Sequence, residues 1–349
     1  MNTTLLLAIL ALQIFAFYYL VRTARNLGSK ATKNHKEVIA NLNQIKSATG
    51  GILLSQLLVP TDKDFRSVDW EHVVSLTSHP ARFKTLAKSI DSLLSQRLIA
   101  KKIYLNIAES DINNLPQAVR DLESGGHIKI NTCADLGPGK KLIPTLRIEK
   151  SLPIIVVDDD LFFETDMTLK LMIQHHLTPR CVVASRVHKV SYSSDGKISP
   201  YKNWQKNYSL SDGPAANLFP TSGAGTLYKL EFFHEDVLDE KTYKELSFFT
   251  DDLWWYIQSR RIGVLTKRLP GFNRLNYLDE TQEVGLWKTG NQDRNDPNLQ
   301  SLIKKYLINV FSCANILFVN LEDKQKIVIM KDMKAARWYA EKDIRVEQA

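Results

Sequence analysis

From about Glu71 onward, short apolar runs alternate with longer stretches whose apolar residues recur every three or four positions. "HVVSLTS" (72–78), "KKIYLNIA" (101–108), "HIKINTCA" (127–134), "LPIIVV" (152–157) and "RCVVASRV" (180–187) read as strands. "RFKTLAKSIDSLLSQ" (82–96) places Leu86, Ile90, Leu93 and Leu94 on one helical face, and "KLIPTLRI" (141–148) reads as a short helix. The pair Gly125-Gly126 marks the turn into the third strand. Strands alternating with helices predict an α/β fold with a largely parallel sheet covered on both faces.

The N-terminal pattern is different. "TTLLLAILALQIFAFYYLV" (3–21) has no charged residue and, as a helix, would extend roughly 28 Å, about the thickness of a bilayer core. Tyr18 and Tyr19 end it, and Arg22, Arg25, Lys30, Lys33 and Lys36 come after it, with no Lys or Arg before it. This predicts a retained transmembrane anchor at 1–21 with the remainder of the chain in the cytoplasm. A cleaved signal peptide would need a basic start and a small-residue cleavage site, and neither is there. Residues 22–68 form a basic connector with helical spacing at Val38, Ile39, Leu42 and Ile45, broken by "SATGG" and closed by "VPTDKD". Residues 69–310 then form the main domain, and 311–349 a C-terminal extension.

Composition adds little to this picture. The chain has 349 residues, 44% hydrophobic and 24% charged, as a folded globular protein should. Its three cysteines, Cys133, Cys181 and Cys313, are too scattered for a disulfide framework or zinc site. The net charge of +8 suits an anionic membrane surface or a phosphorylated substrate. No nucleic-acid-binding module accompanies it, and nucleic acid is set aside.

The chemistry lies at strand ends, where ligands bind in sheets of this kind. Thr77, Ser78 and Arg82 come after the first strand, Asp135 to Lys141 after the third, and the triplet Asp158, Asp159, Asp160 after the fourth. One crevice can contain all three sets. An Asp-x-Asp pair supplies hard oxygens for Mg²⁺ or Mn²⁺, whose open positions suit a diphosphate; a solvated acidic loop is the plainer reading. In "DLGPGKKLIP", Lys140 and Lys141 either reach that diphosphate or are solvated on a surface turn. A second acidic site, "FFTDDLWWYIQ" (248–258), offers Asp251 and Asp252 as a general base beside aromatic platforms, or Thr250 or Asp251 as a helix cap. "FPTSGAGTLY" (219–228) reads as a glycine-rich loop approaching a ligand, without P-loop spacing.

In order and spacing, "VVSLTSHPARF", "SLLSQ", "KKLIPTL", "IIVVDDDLFF", "SRVHKV", "FPTSGAGTLY", "TDDLWW" and "TQEVGLWKTGNQDRNDPNL" resemble bacterial GT-A-fold glycosyltransferases of the family 2-like type, associated with polysaccharide and glycoconjugate synthesis. The resemblance spans about Val73 to Tyr306. It implies a nucleotide-sugar donor, a glycan or lipid-linked acceptor, and Mn²⁺ or Mg²⁺. Thr77, Ser78 and Arg82 match the loop near the nucleobase and ribose. Asp158 and Asp160 match the outer Asp-x-Asp members, Asp158 as a ribose and metal contact and Asp160 as a metal contact, with Asp159 serving either donor binding or the fold. Asp252, with Asp251, matches the base of inverting members. Asn295 and Asp296 match an Asn-Asp pair to which no role is attached. Many GT-A enzymes add a C-terminal histidine to the metal shell; none comes after His234 here, which leaves His188 as the substitute or as a structural residue. Two other readings remain: a sugar-phosphate nucleotidyltransferase, and a non-catalytic membrane scaffold on the same fold.

Overall fold

The computed structural model describes residues 70–193, 197–271, 275–278, 292–306, 315–321 and 324–330. The predicted anchor and connector lie outside these described residues, within which no helix is long and apolar enough to cross a membrane.

The first half of the domain matches the sequence pattern closely. Strand β1 (Val73–Thr77) leads through a turn opened by Pro80 into helix α1 (Phe83–Leu94). There Phe83, Leu86, Ile90 and Leu93 are buried at helical spacing, while Leu94 is half-buried. Next come β2 (Lys102–Ala108), α2 (Gln117–Ser124), β3 (Lys129–Cys133), α3 (Ile143–Ile148) and β4 (Ile154–Val157). Gly126 adopts a positive φ of 76° in the turn before β3. After the short β5 (Leu161–Phe162), α4 (Met167–Leu177) leads to β6 (Cys181–Ala184).

Beyond β6 the structure departs from the sequence reading. "RCVVASRV" is not one strand: β6 ends at Ala184, and β7 (Val187–Lys189) pairs antiparallel with β8 (Leu218–Pro220) in a separate small sheet. The expected glycine-rich loop is instead the end of β8, a turn, and β9 (Ala224–Tyr228). The α5 helix (Glu240–Leu246), α6 (Asp251–Arg261), β10 (Leu265–Arg268), β11 (Asn276–Tyr277), α7 (Gln292–Tyr306) and the hairpin β12 (Asn315–Leu321)–β13 (Lys324–Met330) complete the described chain.

The main sheet has seven strands in the order β10-β6-β9-β4-β1-β2-β3. All neighbours are parallel except β9, which runs antiparallel between β4 and β6. Every residue of β4 and β6 is buried, so both faces of the sheet are covered. This is the α/β architecture expected of a GT-A domain. A bulge explains the misread glycines. Val156 pairs with Thr226 but Val157 with Ala224, leaving Gly225 as the extra residue, at a φ of 98°. A bulge of this kind bends the strand and re-aims the neighbouring side chains, here beside the acidic triplet.

Candidate functional site

The three aspartates lie just past the last residue of β4 and diverge. Asp159 turns inward: its carboxylate accepts from Ser78 Oγ at 2.5 Å and from Arg82 Nη1 at 2.7 Å. Arg82 Nη2 also lies 3.2 Å from Asp160 Oδ2, so one guanidinium serves two carboxylates. The Asp160 carbonyl accepts from the Leu278 amide at 2.9 Å, which ties the triplet to the residue after β11. Asp158 is only half-buried. Its amide donates to the Gly223 carbonyl at 3.0 Å, and its Oδ1 accepts from Lys141 Nζ at 2.8 Å.

Lys141 joins the two acidic stretches. Its ammonium, on a side chain only 6% exposed, also lies 2.9 Å from Asp251 Oδ2. The β3 loop, the end of β4 and the start of α6 therefore meet at one buried cation. Next to it, Asp252 Oδ1 accepts from the Ser222 amide at 3.0 Å and from the Ser222 hydroxyl. Ser222 and Gly223 sit in the tight turn between β8 and β9. A Cβ on Gly223 would fall 1.7 Å from Asp158 Oδ2, so that carboxylate needs the glycine's empty side.

This crowding of charge divides the carboxylates. Burial works against ionising Asp158, but Lys141 outweighs it and lowers the pKa below the usual carboxylate value. Asp160 is raised to about 6, by burial and then by the charge of Asp158, despite Arg82. Asp252 is raised to about 7, by burial and then by Asp251, with Lys141 and Ser222 opposing. Burial also opposes the charge on Lys141, yet Asp158, Asp251 and Asp252 hold its pKa well above the ordinary lysine value. A carboxyl whose pKa is raised to about 7 beside the charged Lys141 is suited to proton transfer.

The other sequence-derived candidates are distributed unevenly. Lys140 is buried but turned into Asp135, 2.5 Å from its Oδ1, so the solvated-turn reading fails for both lysines and neither is a free cation. Thr77 donates to the Asn106 carbonyl at 2.6 Å and braces the end of β1. His188 lies on β7, its ring against Phe219 and Tyr201 and its Nδ1 accepting from the Asn207 amide at 3.1 Å. Burial lowers it to about 3, as for a neutral core histidine; no described bond ties it to the triplet. The aromatic platforms expected on α6 are absent. Trp254 and Trp255 are fully buried and Tyr256 nearly so; the exposed rings near the site are Phe162 and Tyr277. Thr250 precedes α6, but its hydroxyl bonds Ser247 rather than capping the helix. Asp296 accepts from the Tyr201 amide, and Asn295 is buried on α7.

Sequence reasoning does not single out Ser222, Gly223, Arg186 or Tyr228. The Tyr228 hydroxyl is buried without a hydrogen-bond partner among the described residues, and burial reinforced by the charge of Asp252 keeps it protonated. The small Ser-Gly pair between two strands was the one available signal for the first two.

As a metal site, Asp158 and Asp160 fit a hard dication. Both offer oxygen at one strand end, and the raised Asp160 marks a local shortage of positive charge. His188, held in its aromatic packing, does not join them. Among the described residues the one trio spaced to hold an ion is elsewhere, at His234, Glu235 and Asp236. There Arg261 already occupies Asp236 at 2.6 Å.

The chain matches no family model and no curated protein. Among solved structures it is similar to a 4-diphosphocytidyl-2C-methyl-D-erythritol synthase, at 12% identity and TM-score 0.36 over 64% of this chain and 98% of that one. It is also similar to S. aureus TarS 1–349, at 10% identity and TM-score 0.38 over 68% of this chain and 72% of that one. The same protein in complex with UDP matches at 14% identity and TM-score 0.38, over 59% and 60%. Likenesses this distant establish no residue-by-residue correspondence.

Proposed function

We propose that this chain is a nucleotide-sugar-dependent glycosyltransferase that transfers its sugar, with inversion, to a hydroxyl of a glycan or lipid-linked acceptor. The observation that carries the reading is the Lys141 bridge, which ties Asp158 of the Asp-x-Asp strand end to Asp251, the neighbour of Asp252, whose pKa is raised to about 7. A non-catalytic scaffold has no need of that arrangement.

In this mechanism Asp252 takes the proton from the acceptor hydroxyl as it attacks the anomeric carbon. Ser222 occupies its Oδ1 twice, which fixes the carboxylate and leaves Oδ2 for the acceptor. Lys141 holds Asp158 and Asp251 in place and keeps the Asp252 pKa from climbing further. Asp159, through Ser78 and Arg82, fixes the loop after β1 where a nucleoside would lie. Asp158 and Asp160 would hold a Mn²⁺ or Mg²⁺, which would supply positive charge against the diphosphate leaving group. The N-terminal segment 1–21 anchors the enzyme, with the catalytic domain at the cytoplasmic membrane surface, where a lipid-linked acceptor is presented.

A screen of nucleotide sugars for donor hydrolysis, with and without Mn²⁺, tests this directly. One donor should be turned over in a metal-dependent manner, and Asp160→Ala and Asp252→Asn should each abolish sugar transfer in folded protein. Full activity in either variant would remove that residue from the mechanism. Turnover of a nucleoside triphosphate with a sugar phosphate would replace it with nucleotidyl transfer.

A further inference from the structure

The cations first expected to meet the nucleotide donor are committed to carboxylates. Lys140 is paired with Asp135, Lys141 with Asp158 and Asp251, and Arg82 with Asp159 and Asp160. Arg186 is different. Its Nε donates to Asn207 Oδ1 at 2.6 Å and its Nη1 to Thr221 Oγ1 at 3.3 Å, both neutral acceptors. Among the described residues no carboxylate lies within ion-pair distance of it.

Its position is fixed by the same turn that builds the site. The Arg186 carbonyl accepts from the Thr221 amide at 3.1 Å, so main chain and guanidinium both clasp Thr221. Thr221 directly precedes Ser222, which holds Asp252, and Gly223, which holds Asp158. The guanidinium is only half-buried, and its charge is felt at Asp158 and at Tyr277. An arginine bonded only to two neutral oxygens, beside the turn that carries Ser222 and Gly223, keeps its charge for an anion from outside the chain.

We propose that Arg186 is a phosphate-binding residue of this site, its guanidinium taking a phosphate oxyanion beside the turn that carries Ser222 and Gly223. The inference rests on the transferase reading only for the source of that phosphate: the donor's diphosphate, or a phosphate group of the acceptor. The chemistry, a charge-assisted bond from guanidinium to phosphate oxygen, is the same for both.

The test is calorimetric binding to the full-length chain in Mn²⁺ buffer, using UDP, GDP, CDP and the matching monophosphates. Inorganic phosphate is then titrated into enzyme saturated with the diphosphate that binds. Arg186→Gln and Arg186→Lys are compared with the parent, and urea melts confirm folding. If the donor supplies the phosphate, Arg186→Gln weakens nucleoside diphosphate binding about ten- to hundredfold, as expected for loss of a bond to a charged group. The monophosphate is then unaffected, and Arg186→Lys recovers part of the loss. If the acceptor supplies it, diphosphate binding is unchanged and inorganic phosphate binding to the saturated enzyme disappears. Parent-like binding of both ligands in a folded Arg186→Gln protein overturns the inference and leaves the proposed function standing. Failure of the parent to bind any nucleoside diphosphate defeats the proposed function instead. Inorganic phosphate then still reads Arg186, and its equal binding by parent and variant would overturn the inference as well.

Discussion

Replacing Lys141 with methionine isolates the bridge on which the site depends. Methionine keeps most of the stem volume and removes the ammonium, leaving Asp158 and Asp251 to face each other without their shared cation. At 2.8 and 2.9 Å, each pair has a gross attraction of roughly 6 kcal/mol at an effective dielectric of about 20. Desolvating the ions takes back several kcal/mol apiece, so these figures do not add. Breaking a buried pair by removing one partner generally costs about 3–5 kcal/mol. Because Asp158 is half-exposed, Lys141→Met is expected near the lower end, about 3 kcal/mol, read as a shift in the urea midpoint at pH 7 with unchanged slope. The pH dependence has a definite sign. Asp158 has a depressed folded pKa, so its contribution is present above the unfolded carboxyl value near 4 and fades as pH falls through the lower folded value. The gap between parent and variant should therefore be full at pH 6–8 and narrow in acid. Adding Asp251→Asn removes one of the stranded charges and should restore at least about 1 kcal/mol. A loss below about 1 kcal/mol at pH 7, or a double variant no more stable than the single one, would refute the bridge as an organising contact.

The same geometry sets four further outcomes. Because ionised Asp252 is the active form and its pKa stands near 7, kcat/KM should rise about tenfold per pH unit below 7 and level off above it. Ser222→Ala, which removes a bond that lowers that pKa, should move the midpoint upward, and a steady-state profile with an unmoved midpoint would contradict the role given to Ser222. Gly223→Ala forces Asp158 out of its place, since the new methyl would meet Oδ2 at 1.7 Å. A stability loss of about 1–3 kcal/mol by urea melt and roughly hundredfold slower transfer are expected. Ser78→Ala leaves buried Asp159 one donor short and should lower stability by about 1–3 kcal/mol, measured the same way.

The first half of the domain was legible because its signals are local. Leu86, Ile90 and Leu93 recur at helical spacing, and the runs at 73–76 and 154–157 are buried on both faces, as strands inside a parallel sheet must be. The polar residues at three strand ends could be assigned to one crevice by topology alone. Which charges neutralise which could not be seen. Lys140 and Lys141 are adjacent and look alike in sequence, yet one serves Asp135 and the other spans to Asp251. Strand β9 was hidden because Gly223 and Gly225 are poor strand residues. They are explained only by contacts distant in sequence: the Asp158 carboxylate for one, the bulge against β4 and the closeness of Met167 and Ser185 for the other. The aromatics of "DDLWWYIQ" invited a sugar-stacking role, but their burial shows that they anchor α6 to the core.

The insertion of β9 also has a consequence for how the chain must assemble. Through residue 184 the protein has synthesised β4 and β6, but these strands do not pair with each other. They flank a gap one strand wide that stays open until residues 224–228 arrive from the opposite direction. During synthesis, two fully apolar strands therefore present unpaired edges, the kind of surface that recruits other chains. Chains truncated between β6 and β9 should aggregate, whereas chains extending past Tyr228 can close the sheet. Filling that gap also brings Ser222 and Gly223 to the end of β4, so the step that pairs the facing edges of β4 and β6 is the one that seats Asp158 and readies the support for Asp252.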